Sequence, residues 1–260
     1  MSVLRGLIAG AAVVVAPFAW AELPPAALAA DVVILGELHD NPNHHAVQLE
    51  FLHVVEPKAV IYEMLYPSEA ARIQAALQDG QPLDDLLKTL HWSNLSDYLG
   101  LLETRTEIIG AAVPPDQVRA AFNNGAAVIF GPDAAAFGLT TPLSKTEQAL
   151  REDLQFQSHC QAMPLSMMGG MVQAQRLRDA EFARSVVEAL QTFGAPVVLI
   201  TGNGHARNDW GVPAVLRQVV PGYSVFSVGQ GEDGLDPMGG FDVVIDSTSV
   251  DRADPCDAFR

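Results

Sequence analysis

Two histidines in this chain stand at equivalent places, each closing an apolar run with the pattern Gly-x-x-His. Val32-Val33-Ile34-Leu35 runs into Gly36-Glu37-Leu38-His39, and Val197-Val198-Leu199-Ile200-Thr201 runs into Gly202-Asn203-Gly204-His205. Short unbroken apolar runs read as buried strands. In an open α/β sheet, ligands collect in the crevice beyond the carboxyl ends of the strands. Two parallel strands ending this way project two imidazoles into one crevice. Glu37 lies on the first turn, and Glu63 follows a third apolar run, Ala59 to Tyr62. Two imidazoles with one or two carboxylates suit a divalent metal ion on His39, Glu63 and His205. They equally suit acid–base work on a small polar substrate by Glu37, His39, Glu63 and His205. Gly36, Gly202 and Gly204 fit turns where backbone approaches a ligand closely.

Weaker candidates surround this pair. His159 sits beside Cys160, just before Pro164, and could reach the crevice as a proton shuttle. His44 and His45 fall in the first turn of a predicted helix and read as surface residues; His53 and His91 have no evident partner. The segment Met163-Pro164-Leu165-Ser166-Met167-Met168-Gly169-Gly170-Met171 is rich in methionine, either a soft surface for a flat apolar ligand or a flexible core junction. Tyr62, Tyr66, Tyr98 and Tyr223 each carry a phenol able to ligate ferric iron. No phosphate loop, Gly-x-Ser-x-Gly elbow or His-Glu-x-x-His occurs. The start of a dinucleotide fingerprint at Gly202 fails because Arg207 takes the third glycine's place.

The elements that must position these residues alternate. Asp31 to Leu35 and Ala59 to Tyr62 read as strands, joined by a helix that Asn41-Pro42 starts and that ends near Val54. Strand, helix, strand at this spacing is a βαβ unit with a right-handed crossover. From Pro67 the pattern turns helical, with Glu107 to Ala112 as a further strand and a short helix through Phe122. Residues 145–192 are helical with interruptions near Pro164 and Gly169-Gly170, and Leu177, Ala180, Ala183, Val187 and Leu190 form an apolar stripe at helical spacing. Strands resume at Val197 to Thr201, Ser224 to Val228 and Val243 to Ile245. The expected fold is α/β: an open, mostly parallel sheet flanked by helices, with an inserted, mainly helical lid subdomain. The sheet domain takes residues 22–66 and 190–260, the insert takes 67–189, and 105–123 returns to the sheet.

Composition narrows the setting. The chain has 260 residues, 49% of them hydrophobic, enough for a full core. Arg5, an apolar stretch from Leu7 to Val15 and Ala19-Trp20-Ala21 read as a secretory signal over residues 1–21, too short to span a membrane. A periplasmic or secreted location follows, and no cysteine after the cleavage site offers lipid attachment. Cys160 and Cys256 suit a disulfide in that compartment, on the order of 4–5 kcal/mol in the chain-entropy model. A formal charge of −16 argues against nucleic acid or an anionic membrane as partner.

Taken together, Gly36-Glu37-Leu38-His39-Asp40, Glu63, the segment from Gln173 to Ala180, and Gly202-Asn203-Gly204-His205-Ala206-Arg207 with Gly211-Val212-Pro213 resemble the ChaN-like haem-binding uptake proteins. That family lies in the wider Tiki and erythromycin-esterase superfamily. The resemblance implies an α/β domain with a helical lid, export to the cell envelope, haem as ligand in iron acquisition, and a homodimer sandwiching haem. It adds Arg178 to His39, Glu63 and His205 as ligand-binding candidates and leaves the haem-iron ligand unassigned. Hydrolytic relatives use the equivalents of His39, Glu63 and His205 for metal binding or acid–base work. A hydrolase acting on an ester or peptide bond is therefore the alternative.

Overall fold

The computed structural model describes residues 23–104, 106–254 and 256–257. Six strands form one wholly parallel sheet: β1 (Val32–Glu37), β2 (Ala59–Tyr62), β3 (Glu107–Gly110), β4 (Val197–Gly202), β5 (Val225–Glu232) and β6 (Val243–Ser247). Their order across the sheet is β3-β2-β4-β1-β5-β6. Strand β4 thus slots between β1 and β2, although in sequence it begins only at Val197, far beyond the end of β2 at Tyr62. Register pairs Val32 with Val197 and Glu37 with Gly202. The two Gly-x-x-His motifs therefore leave the sheet side by side.

The strands read as unbroken apolar runs because both faces of the sheet are covered. Side chains alternate between faces with period two. Val33, Leu35, Val60, Tyr62, Val198 and Ile200 pack on one side with Phe51, Leu52, Ala70 and Ile73 from the helices Pro42–Val55 and Pro67–Gln78. Val32, Ile34, Ala59, Ile61, Val197 and Leu199 meet the other side, where the long helix Met168–Phe193 contributes Leu177, Ala180, Ala183, Val186 and Leu190. The helix Pro42–Val55 begins as its sequence requires. The Asn41 side chain accepts the Asn43 amide at 2.8 Å, and Pro42 fills a position whose N–H has no helical partner.

Two local expectations need correction. The helix Met168–Phe193 runs unbroken through Gly169 and Gly170. Glycine serves packing here: a Cβ on Gly170 would lie 2.7 Å from the Phe122 ring of the helix Pro115–Asn124, so its absence lets the two helices meet closely. The break falls at Pro164 alone, after the helix Lys145–Ser158. The predicted helices after Gly80 shrink to single turns, Asp84–Leu87, Leu95–Tyr98 and Leu99–Leu102. The expected signal segment, residues 1–21, lies outside the described residues. Among the described residues no helix is long and apolar enough to cross a membrane. Cys160 and Cys256 are joined in a disulfide.

Candidate functional site

At the carboxyl edge of the sheet, Glu63 stands between two imidazoles. His205 Nε2 lies 3.6 Å from Oε1 of Glu63, and His39 Nε2 lies 4.0 Å from Oε2. The strand order produces this arrangement: Glu63 follows β2, the Gly202–His205 turn follows β4, and the Glu37–His39 turn follows β1. Oε2 of Glu63 also accepts the Thr201 hydroxyl at 2.5 Å and the Gly202 amide at 2.8 Å. A Cβ on Gly202 would come within 3.2 Å of His39 Nε2, so any side chain there would press on the ring.

Each imidazole is backed by its own buried carboxylate. Glu37 Oε1 accepts His39 Nδ1 at 2.7 Å, and Asp179 Oδ1 accepts His205 Nδ1 at 2.7 Å. A carboxylate on Nδ1 fixes the ring's tautomer and orientation and aims Nε2 into the crevice. Glu37 is buried and further held by the Tyr98 hydroxyl at 2.7 Å and the Gln48 amide at 2.7 Å. Gln175 lies 3.0 Å from His205 Nδ1, and the Phe182 ring meets His205 edge-on with centroids 4.9 Å apart. Trp92 packs against His39 in the same way, at 5.1 Å.

These contacts set the charges. Burial works against protonation of His39, but the hydrogen bond to Glu37 and the charges of Glu63, Glu37 and Asp40 outweigh it and raise the ring to about 9. Burial likewise opposes ionisation of Glu37, yet hydrogen bonds with His39 and His45 bring it down to about 2. Glu63 is held below the usual carboxylate range: burial resists, and the charges of His205 and His39 prevail. His205 is raised against its own burial by Glu63 and Asp179, whereas burial pushes Asp179 up despite its contact with His205. At neutral pH the crevice presents His39 as a cation beside the Glu63 carboxylate.

The structure gathers Glu37, His39, Glu63 and His205 in one network and leaves His159 and Arg178 beside it. His159 bonds the Gln155 carbonyl through Nδ1 at 2.8 Å and shares with His205 and Gln175 the wall of a hollow of about 240 Å³. An adjoining hollow of about 430 Å³, also bounded by Gln155, His159 and Gln175, is lined by Arg178, Arg119, Phe122, Met163 and Met171. Among the described residues no three His, Cys, Asp or Glu side chains form a group able to hold a metal ion, so the expected divalent ion on His39, Glu63 and His205 is not supported. Glu37 and Asp179 sit behind the rings on Nδ1, so the one carboxylate both Nε2 atoms face is Glu63, whose Oε2 is already bonded to Thr201 and Gly202.

Other expectations change as well. His44 and His45 are buried, not on the surface. His44 accepts the Leu38 amide at 2.9 Å and lies 3.2 Å from the Gly231 carbonyl, pinning the turn that carries His39. His45 lies 3.4 Å from Glu37 and packs on Tyr98 at 4.1 Å. His91 does have a partner, Glu69, at 2.6 Å, and stacks on Tyr66 at 4.0 Å. Tyr62 and Tyr98 are fully buried, their hydroxyls bonded to the Leu101 carbonyl and to Glu37. Sequence reasoning passed over Asp179 and Gln175. They stand four apart on one helix and so share a face, which was the available signal.

With this geometry in place, the comparisons decide the family. A family model described as haem-binding uptake, Tiki superfamily, ChaN matches residues 24–216. The chain belongs to that family. A solved structure titled cofacial heme binding to ChaN of Campylobacter jejuni is 20% identical to this ChaN-family chain. It has a TM-score of 0.61, covering 83% of this chain and 87% of the other. Two further solved structures align with much lower scores. The type III effector HopBA1 is 11% identical, with TM-score 0.43 over 85% of this chain and 88% of that one. An erythromycin esterase variant in its open conformation is 11% identical, with TM-score 0.42 over 81% and 72%. No curated protein matches the chain. At 20% identity the ChaN structure bears on the fold alone, an α/β sheet flanked by helices.

Proposed function

We propose that this chain binds haem in the periplasm and serves haem or iron uptake, seating the ligand in the hollow beside His159. The observation that carries the reading is the chemistry of that hollow within a haem-binding uptake family. Phe122, Val118 and the thioethers of Met163 and Met171 offer an apolar, deformable wall, while Arg119 and Arg178 offer cations suited to the two propionates. Its volume of about 430 Å³ lies in the range of small-molecule sites, roughly 300–1,000 Å³. His159 fits the iron: donating Nδ1–H to the Gln155 carbonyl leaves Nε2 with the lone pair and makes it a better ligand. The Met-rich segment thereby becomes part of a binding wall. Hemin added to the purified protein should give a saturable Soret shift. His159→Ala should change the band's position, and the Arg119→Ala/Arg178→Ala pair should weaken binding at least tenfold. No saturable shift at micromolar protein would remove the reading.

A second reading, hydrolysis of an ester or peptide bond, is favoured by Glu63 standing between two carboxylate-backed imidazoles. In it Glu63 orients the attacking water, and His39, protonated at neutral pH, donates a proton to the leaving group rather than acting as base. An ester and peptide panel on wild type and Glu63→Gln tests it. Equal or absent turnover in both ends it.

A further inference from the structure

After β6 the described residues from Thr248 to Arg252 leave the sheet and run along the crevice rim. The Thr248 carbonyl accepts the side-chain amides of Asn41 and Asn43, at 3.0 and 2.9 Å. Arg252 then grips Asp40, the residue after His39, at 2.8 and 2.9 Å, and reaches Glu232 at the end of β5. Cys256 is bonded to Cys160, the residue after His159. The tail is thus fastened at one end to the sheet rim beside His39 and at the other to the helical layer beside His159. Only three residues lie between Arg252 and Cys256 in sequence, a backbone reach of at most ~14 Å. While the disulfide and the Arg252 ion pairs are closed, the parting of those two rims is limited to that span plus the reach of the side chains at its ends.

The backbone around Cys160 carries a second, independent observation. The helix Lys145–Ser158 closes with Gln161 N–H bonded to the Phe156 carbonyl and Cys160 N–H bonded to the Gln157 carbonyl, at 2.9 Å each. This double closure usually places glycine at the left-handed position. Here Cys160 and Gln161 occupy that region in succession, with φ of 57° and 56°. Side chains with a Cβ disfavour it, so the turn holding His159 keeps a shape its own residues resist.

We propose that the C-terminal tail is a redox-sensitive clasp that holds His159 and Met163 in the wall of the hollow, and that opening the disulfide loosens this wall and weakens haem binding. The haem arm rests on the function proposed above; the clasp itself does not. In the step, a dithiol reductant supplies two electrons and two protons. The S–S bond breaks, Cys160 and Cys256 become thiols, and the reductant leaves as its own disulfide. Arg252 keeps the tail on the sheet rim, so the helical rim is the side released.

Two measurements on the full chain separate the claims. Amide hydrogen exchange of the oxidised protein is compared with that of protein reduced and then capped with iodoacetamide. Exchange should rise in residues 159–164 and stay unchanged in β1 and β4; unchanged exchange in 159–164, or a rise throughout the sheet, overturns the clasp. Hemin titration of the same two samples, with the reductant removed and the thiols capped, should show roughly tenfold weaker binding after opening, or ~1.4 kcal/mol. Cys256→Ser should match the reduced sample, and Arg252→Gln, which frees the sheet-rim end with the disulfide intact, should raise exchange in residues 159–164 and weaken hemin binding in the same direction; an Arg252→Gln sample indistinguishable from the oxidised protein overturns the two-ended clasp. Equal hemin affinity in both states overturns the coupling to haem. No hemin binding by the oxidised protein overturns the proposed function, while the exchange result still decides the clasp.

Discussion

The Glu37–His39 pair should make stability depend on pH in one definite window, and His39→Gln isolates it. The His39 ring is 29% exposed and titrates near 9 in the fold instead of 6.5. That difference corresponds to about 3 kcal/mol of stabilisation. Because the folded value is raised, the contribution is complete below pH 6.5. It shrinks as pH rises from 6.5 through 9 and is absent above. The lowering of Glu37 to about 2 describes the same attraction from the carboxylate's side and is not added to it; it places the acid loss between pH 4.5 and 2. Urea unfolding of wild type and His39→Gln at pH 6 and pH 9.5 measures the effect. Wild type should lose about 3 kcal/mol more than the variant between the two pH values. His205 titrates in both proteins and cancels in the difference. Parallel losses in the two proteins would refute the reasoning, since the pair would then contribute nothing that protonation controls.

Three further outcomes follow from the packing. Asp179→Asn removes the carboxylate behind His205 and leaves burial, which lowers the ring, as the largest influence on it. The His205 imidazole should therefore titrate at lower pH by proton NMR, and an unchanged titration would discount the pairing. Gly36→Ala places a Cβ 2.5 Å from Asn203 Oδ1 and 2.9 Å from the Val228 carbonyl, so chemical denaturation should show a loss of about 1–3 kcal/mol. Phe51→Ala empties a fully buried position against the sheet and should cost about 3–5 kcal/mol in the same assay.

The sheet and its edge were legible because their signals are local. Val32–Glu37 and Val197–Gly202 are apolar without interruption since both of their faces are covered, and Asn41-Pro42 announces a helix start in two residues. From those elements the meeting of His39 and His205 followed by topology alone. Asp179 was hidden for a physical reason: on a long helix with Arg176, Glu181 and Arg184 on its polar side, one more acid reads as a solvated residue, yet this one is buried against His205. His44 and His45 were misplaced because a helix's first turn is commonly exposed; here that turn is covered by Gly231 and Tyr98. The Gly169-Gly170 pair carried a breaker signal that interhelical packing against Phe122 overrode.

The position of β4 has a consequence for how the chain is made. Until residues 197–202 join the sheet, β1 and β2 have no strand between them, and each offers an unsatisfied row of backbone donors and acceptors of the kind that recruits other chains. A product ending before β4 would therefore be sticky, and a chaperone holding the amino-terminal half would shield those bare edges until the missing strand arrives.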